Sequence, residues 1–393
     1  MMDALFEYQI FNFSIQGLLF IPVILLVLLM IQYRNKLIAL DNTFTYLDNK
    51  FSKRSEKALL YLAVLVITFI ISYFICLITF PYSDIEDAMQ GAIKAFFFNG
   101  KNPYVSKVVP HIFISGNNSY EQNGTYNYGP IDLLVYGFGY LLFHPIVGNS
   151  WWLMVTNFIL VIFIYFIIRN IIPIPETIKF IPFMLLSSLF MQDNIILMAV
   201  FLAIAWYIHV KVETDYKYPL ITVVLTLGSF TKMYLVFVLV AYFFYVFKND
   251  IHLWITNGII SLVTSVIVIF PFGIINVIDS IIIFQINLDM RKIYATLQGG
   301  LPLYLDMLHL DWIYTPLAFI LTLVFLIVSE KYAKNQLELK ISTFLILNLI
   351  LLPSSAYAFF YLPGLLMLLQ YYTNHLNMQA NINQLVTNLN SQK

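Results

Sequence analysis

Charge is what this chain has least of: 21 basic and 21 acidic residues in 393, 11% in all, against 60% hydrophobic residues. Soluble domains carry about 25% charged residues, so the scarcity excludes that class and implies a polytopic membrane protein. A formal net charge of zero leaves neither a basic face for nucleic acid nor an acidic tail for a cationic partner. Cysteine is nearly absent. Cys76 stands alone inside a hydrophobic run, which excludes an intrachain disulfide and a cysteine-clustered metal site and leaves packing as its role. His111, His144 and His309 are scattered without HExxH spacing, against a zinc site. The residues before the first apolar block carry Asp3 and Glu7 but no Lys or Arg, unlike a secretory signal, so 15–33 is read as a retained transmembrane helix.

What is abundant is apolar sequence in blocks, with the charges at the junctions, as the cost of polar groups in hydrocarbon requires. Arg34, Lys36, Lys50, Lys53, Arg54 and Lys57 crowd the loop 34–57, and short basic loops stay cytoplasmic, which puts the N-terminus outside. Residues 58–80 are long enough to cross at about 1.5 Å per residue, so the polar stretch 81–127 is extracytoplasmic. The sequons Asn12-Phe13-Ser14, Asn117-Asn118-Ser119 and Asn123-Gly124-Thr125 agree with that face. Basic junctions at Arg169–Lys179, Lys211–Lys217, Lys248 and Lys331–Lys340 favour the cytoplasm. Crossings are predicted near 178–191, 194–210, 219–231, 233–247, 253–275, 313–329, 341–353 and 356–372. Two blocks, 129–147 and 150–168, separate the outer loop from Arg169, where an odd number of crossings is needed. Pro130, Gly137, Gly139 and Pro145 mark the first as a re-entrant or interfacial segment. The expected fold is all-α, a transmembrane helical bundle of about 11 crossings plus that segment. It divides into an extra N-terminal helix and basic loop (1–57), a central module (58–250), C-terminal helices (251–372) and a polar cytoplasmic tail (373–393).

The outer loop carries the acids. Residues 84–98 place Asp84, Asp87, Gly91 and Lys94 on one stripe and Ile85, Met89, Ile93, Phe96 and Phe97 elsewhere, predicting an amphipathic helix along the bilayer surface. Asn99-Gly100 ends it and Lys101-Asn102-Pro103-Tyr104 turns the chain away. The predicted topology brings Met191-Gln192-Asp193-Asn194 and Thr231-Lys232 to the same face, and the connection from Asn276 to Trp312 adds Asp289, Arg291 and Lys292. Such acids and cations beside a membrane suit an anionic lipid headgroup. Helix physics gives a plainer account of each. Ser83-Asp84-Ile85-Glu86 fits a capping box, Asp193 a helix cap, Lys232 a snorkelling lysine, and Arg291 with Lys292 a solvated pair. At the level of sequence both accounts stay open.

In order and spacing these fragments resemble a known family, the integral-membrane glycosyltransferases of the GT-C superfamily, in particular the polyprenol-phosphate-mannose-dependent mannosyltransferases of glycosyltransferase family 87. Asp84-x-x-Asp87 followed by Phe98-Asn99-Gly100-Lys101-Asn102-Pro103-Tyr104 is similar to that family's first outer loop, where an Asp precedes a helix ending in a G-x-N-P-Y turn. Tyr126-Asn127-Tyr128-Gly129-Pro130 resembles its Y-x-P entry to the next block, with Gly129 where a second proline is frequent. Gln192-Asp193-Asn194 is similar to its G-Q-x-N turn, and the run Leu227-Gly228-Ser229-Phe230-Thr231-Lys232 to its L-G-x-x-x-x-K helix end. The likeness covers residues 58–250. Beyond it, Pro353-Ser354-Ser355-Ala356-Tyr357 lacks the histidines that often follow a comparable S-P segment.

The resemblance implies inverting transfer of a hexose, mannose in that family, from a polyprenyl-phosphate donor to a lipid-linked glycan or protein acceptor at the outer membrane face. Asp84 would be the general base, a role worth about 10²- to 10⁴-fold, and Asp87 would hold the acceptor or a metal. The leaving phosphate is a stable anion, so no general acid is needed, unlike glycoside hydrolysis. Lys232, then Arg291, would meet its charge. Asn102, Tyr104, Tyr128, Gln192, Asp193 and Asn194 would contact substrate. No cofactor is required; Mg²⁺ or Mn²⁺ on a lone Asp pair needs help from substrate oxygens. Besides membrane lipid, no further partner is implied, and nucleic acid is not one. Two other classes share this composition: a lipid or polysaccharide transporter or flippase, expected to show paired repeats or ionisable residues deep in helices, and a noncatalytic scaffold.

Overall fold

The computed structural model describes residues 54–79, 84–106, 109–115, 118–126, 128–148, 151–174, 176–191, 194–232, 234–283, 305, 310, 313–333, 336–349 and 361–373. The span expected at 15–33, most of the basic loop after it, Ser83, Gln192, Asp193, the segment with Asp289, Arg291 and Lys292, and the tail beyond 373 lie outside the described residues. The chain is helical: α1 (Arg54–Thr79), α2 (Asp84–Ile93) with a π-helical turn to Phe98, α3 (Pro130–Val147), α4 (Trp152–Ile171), α5 (Glu176–Ser188), α6 (Ile195–Lys211), α7 (Lys217–Ser229), α8 (Tyr234–Val246), α9 (Ile251–Ile269), α10 (Ile274–Ile278), α11 (Tyr314–Tyr332), α12 (Leu337–Leu349) and α13 (361–373).

Within the helical fold the outer loop adds one small antiparallel pair. β1 (Val109–Ser115) pairs antiparallel with β2 (Asn118–Gly124), Val109 opposite Gly124 and Ser115 opposite Asn118. The β-branched and aromatic run Ile112-Phe113-Ile114 and a two-residue Gly-Asn connection are hairpin signals that the polarity of the loop hid. The hairpin lies against α2. On α2 the predicted amphipathic division holds where side chains are described: Ala88, Met89, Ala92 and Ile93 are buried against the bundle, whereas Lys94 is exposed. Gly100 ends the helix at φ +60°, a conformation that suits glycine, and the Lys101 amide closes back on the Ala95 carbonyl at 2.8 Å.

Apolar sequence alone does not say which helices are central. α6 and α9 are both strongly apolar, yet the six residues Ile195–Val200 of α6 are all buried, while α9 exposes Ile251, Ile255, Ile259, Leu262 and Val266 along one face. A stripe of that size is costly in water and costs little in hydrocarbon. α6 is thus the hub, packed by α4, α7 and the cluster running through α5, α8, α12 and α13. Among the described residues five helices, α1, α3, α4, α9 with its short extension, and α11, are long and apolar enough to cross a membrane by length and composition. α5, α6 and α8 are shorter apolar helices.

α3 is continuous, with Pro145 confined to its last turns. It meets α4 over the first turns of that helix: Tyr140 packs edge-on against Trp152, Gly139 abuts Thr156, and the Tyr136 hydroxyl donates to Asn157 Oδ1 at 2.6 Å. Asn157 Nδ2 then donates to the Met191 carbonyl, in the turn before α6, at 2.7 Å. The middle of α3 thus packs on the first turns of α4, and Pro130–Val147 is by length and composition long and apolar enough to cross a membrane.

The two ends of the bundle differ in chemistry. At one, Arg169 pairs with Glu176 at 3.1 Å and Lys179 donates to the Ile172 and Arg169 carbonyls at 3.0 and 3.3 Å, a cation on the last turn of α4. Lys248 reaches Glu330 and Lys340 lies over the Tyr245 ring at the same end. Arg169, Lys179, Lys248 and Lys340 are thus gathered at one end. The opposite end carries the turns before α6 and α8, the close of α9, and the loop around residues 99–129.

Candidate functional site

At that opposite end the first turn of α3 is docked through its own backbone. Helix-initial amides have no partner within a helix. Those of Gly129 and Ile131 donate instead to the carbonyls of Thr231 and Phe230, at 3.1 and 3.2 Å. The approach needs glycine, because a Cβ on Gly129 would stand 1.6 Å from the Phe230 oxygen. A proline here, as in the resembling family, would lack the N–H. The docking sets Tyr128 beside Lys232, whose ammonium lies 5.6 Å from the ring centroid.

Beneath them is Asp132, one turn into α3 and fully buried. Tyr126 donates its hydroxyl to Oδ2 at 2.9 Å, and the Asn194 amide nitrogen faces Oδ2 and Oδ1 at 3.3 and 3.4 Å. The Asn194 oxygen accepts from the Lys232 ammonium at 3.0 Å. The chemistry fixes the amide's orientation, since a carboxylate only accepts and an ammonium only donates. An acid, an amide and an ammonium thus form a relay from the interior to a half-buried lysine, joining α3, α6 and the turn between α7 and α8.

The loop 99–129 walls the site. Asn102 Oδ1 accepts from the Tyr104 amide at 3.0 Å, an Asx turn, while its Nδ2 donates to the Phe272 carbonyl at 2.7 Å. Tyr104 donates its hydroxyl to the Tyr128 carbonyl at 2.9 Å, and the Tyr126 amide to the Pro103 carbonyl at 2.9 Å. Burial pushes the hydroxyls of Tyr104 and Tyr126 well above the usual phenol range, and the negative charge of Asp132 adds to it. Both stay protonated donors at any physiological pH.

Of the residues singled out in the sequence, Tyr128, Asn194 and Lys232 come together in direct contact, with Asn102 and Tyr104 forming the wall. Three of these five are not free ligands. Asn194 is fully buried with both ends of its amide engaged, Asn102 is engaged at both ends, and Tyr104 is buried with its hydroxyl committed. In this structure all three help to hold the site together, the role that turn and capping physics allowed them. Tyr128 and Lys232 remain reachable. The backbones of Asp84 and Asp87 lie in α2, whose buried face packs with Tyr126, Leu133 and Tyr136; their side chains, like Gln192, Asp193 and Arg291, lie outside what is described.

Asp132 and Tyr126 were not foreseen as site residues. Asp132 hides in a block that otherwise reads as a span, and its signal was available: an ionisable side chain inside an apolar block, three residues after a glycine. Among the described residues no three His, Cys, Asp or Glu side chains converge on a metal-sized site. No protein-family model, curated protein or solved structure matches this chain.

Proposed function

We propose that the chain is a multi-pass membrane glycosyltransferase of GT-C type that moves a hexose, mannose on the resemblance, from a polyprenyl-phosphate donor to an acceptor at the extracytoplasmic face. The observation that carries this reading is the Lys232 ammonium, fixed over Tyr128 at the bundle end covered by the helix that bears Asp84 and Asp87. The gathering of basic residues at the other end supports this sidedness, because the positive-inside rule favours the cytoplasm for such junctions. Asp84 takes the proton of the acceptor hydroxyl as that oxygen forms its bond to the anomeric carbon. The bond from that carbon to the phosphate oxygen breaks on the far side, which inverts the centre, and its electron pair leaves on the phosphate. Lys232 meets the charge that develops there, the term on which such catalysis leans most. Arg291 stands second, and a lipid-linked glycan or a protein is the acceptor. A bundle of about 11 crossings remains the architecture that this reading carries.

Asp132 favours a second reading in one respect, since a transporter or flippase is expected to bury ionisable groups within its helices. It lies one turn from a helix end beside a lysine, however, rather than at mid-depth. The test is sugar transfer by membranes containing the chain, using a panel of radiolabelled polyprenyl-phosphate hexoses, with Asp84→Asn at matched protein level. Transfer that vanishes in the variant is the expected result. Equal transfer in both returns Asp84 to helix capping, and transfer from no donor moves the chain to the transporter or scaffold class.

A further inference from the structure

Asp132 is fully buried, so its effect on anything outside the fold travels through its partners. We propose that Asp132 is a positioning residue for Lys232. Its carboxylate holds the Asn194 amide with the nitrogen inward, and the outward oxygen holds the ammonium over Tyr128 to receive the phosphate of a polyprenyl phosphate. This rests on the glycosyltransferase reading for the identity of the ligand, and on the relay alone for the role of Asp132. Tyr126 is the second donor that keeps the carboxylate in place. The neighbouring relay from Tyr136 through Asn157 to the Met191 carbonyl steadies the turn from which Asn194 projects.

Charge and position make opposite predictions for Asp132→Asn. A carboxylate acting only as background charge repels an anion bound at Lys232, so its removal tightens phosphate binding. A positioning carboxylate does the reverse. In Asp132→Asn, Tyr126 claims the new amide oxygen and the new NH₂ group faces Asn194. Asn194 must then turn its oxygen inward and its own NH₂ toward Lys232, which drives the ammonium off. A lysine that has lost this acceptor is held less closely over Tyr128 and must be ordered again on binding.

The experiment measures affinity of the full chain in nanodiscs for a polyprenyl phosphate and, as the uncharged control, the corresponding polyprenol. The variants are Asp132→Asn, Lys232→Met and the double substitution. Asp132→Asn and Lys232→Met should each weaken polyprenyl phosphate about tenfold or more. The double variant should be no weaker than Lys232→Met, and polyprenol affinity should not move. Tighter or unchanged phosphate binding in Asp132→Asn, beside a loss in Lys232→Met, overturns the positioning role and leaves the proposed function standing. Equal losses for phosphate and polyprenol mark Asp132 as a general structural group and overturn it too. A wild-type chain that holds polyprenyl phosphate no better than polyprenol sinks the donor assignment itself, before any variant is compared. Should Asp132→Asn not survive extraction, Asn194→Leu cuts the same relay while keeping the charge. It should weaken phosphate binding without adding to Lys232→Met, and additivity there overturns the role.

Discussion

Replacing Tyr126 by Phe removes one oxygen from the core of the site and little else. The ring keeps its packing, 5.7 Å from Tyr104 and 5.5 Å from Tyr128, so no cavity opens. What is lost is a 2.9 Å hydrogen bond to a fully buried carboxylate that water cannot replace. Hydrogen bonds to charged groups contribute about 1.5–3 kcal/mol, and Asn194 still serves the carboxylate, so a loss of about 2 kcal/mol is expected. That is roughly a 30-fold change in the ratio of folded to unfolded chain, measurable by steric trapping in bicelles at neutral pH. A pH dependence follows with a definite sign. The hydroxyls of Tyr104 and Tyr126 ionise well above their unfolded value, chiefly through burial, so the stability they contribute is complete below about pH 10 and is lost above it. Each such group steepens the decline by about 1.4 kcal/mol per pH unit. Tyr126→Phe should therefore be less stable at pH 7 and decline less steeply above pH 10. A loss under about 0.5 kcal/mol, or an unchanged alkaline slope, would mean that Asp132 does not depend on this donor.

Further substitutions test the docking and the orientation. Gly129→Ala places a Cβ 1.6 Å from the Phe230 oxygen, so α3 must lift from the turn before α8, and thermal stability in detergent should collapse. Gly258→Ala on α9, where a Cβ meets open space, should be neutral or stabilising by up to about 1 kcal/mol, and equal losses in both would refute the docking. In a Cys76→Ser background, Lys101→Cys should react with an impermeant maleimide in intact cells and Lys248→Cys only after permeabilisation; the reverse pattern would invert the topology.

Much of the fold was legible because hydrophobic blocks and basic junctions obey strong rules. Helices stand where spans were predicted near 58–80, 194–210 and 233–247, at Arg54–Thr79, Ile195–Lys211 and Tyr234–Val246, the last two shorter than a full span, and the helix after Asp84 stops where Asn99-Gly100 said it would. The hairpin was illegible because a polar loop between spans carries no sign of what it folds against. The site was legible in part. Lys232 and Asn194 stood out as polar residues at apolar turns, and their meeting with Tyr128 follows from the predicted sharing of one face. Their chemistry was not legible, because an asparagine at a turn reads the same whether its amide is free or spent. Asp132 was missed for a related reason: averaged over its block, one carboxylate barely alters a hydropathy that the remaining residues set, and only its neighbours in space, Tyr126 and Asn194, reveal that it is retained at a cost.

Why an amide stands between Asp132 and Lys232 is a question of where each charge needs to be. A direct ion pair holds both charges at one depth: inside, where desolvation of both is costly, or outside, where the pair contributes little. Asn194 separates the two requirements. Its NH₂ meets the carboxylate at full burial, and its oxygen presents an acceptor nearer the surface, where the ammonium stays half-solvated and still has a fixed partner. The amide is suited to this because it carries a donor and an acceptor at opposite ends, whereas a carboxylate would repel Asp132 and an ammonium would repel Lys232. Asn157 uses the same property nearby, accepting from Tyr136 and donating to the Met191 carbonyl, so both ends of the turn that leads into α6 are held by asparagines. In a membrane, where no water reaches to correct a mismatched partner, such two-sided side chains let a buried acid set the position of a cation it need not touch.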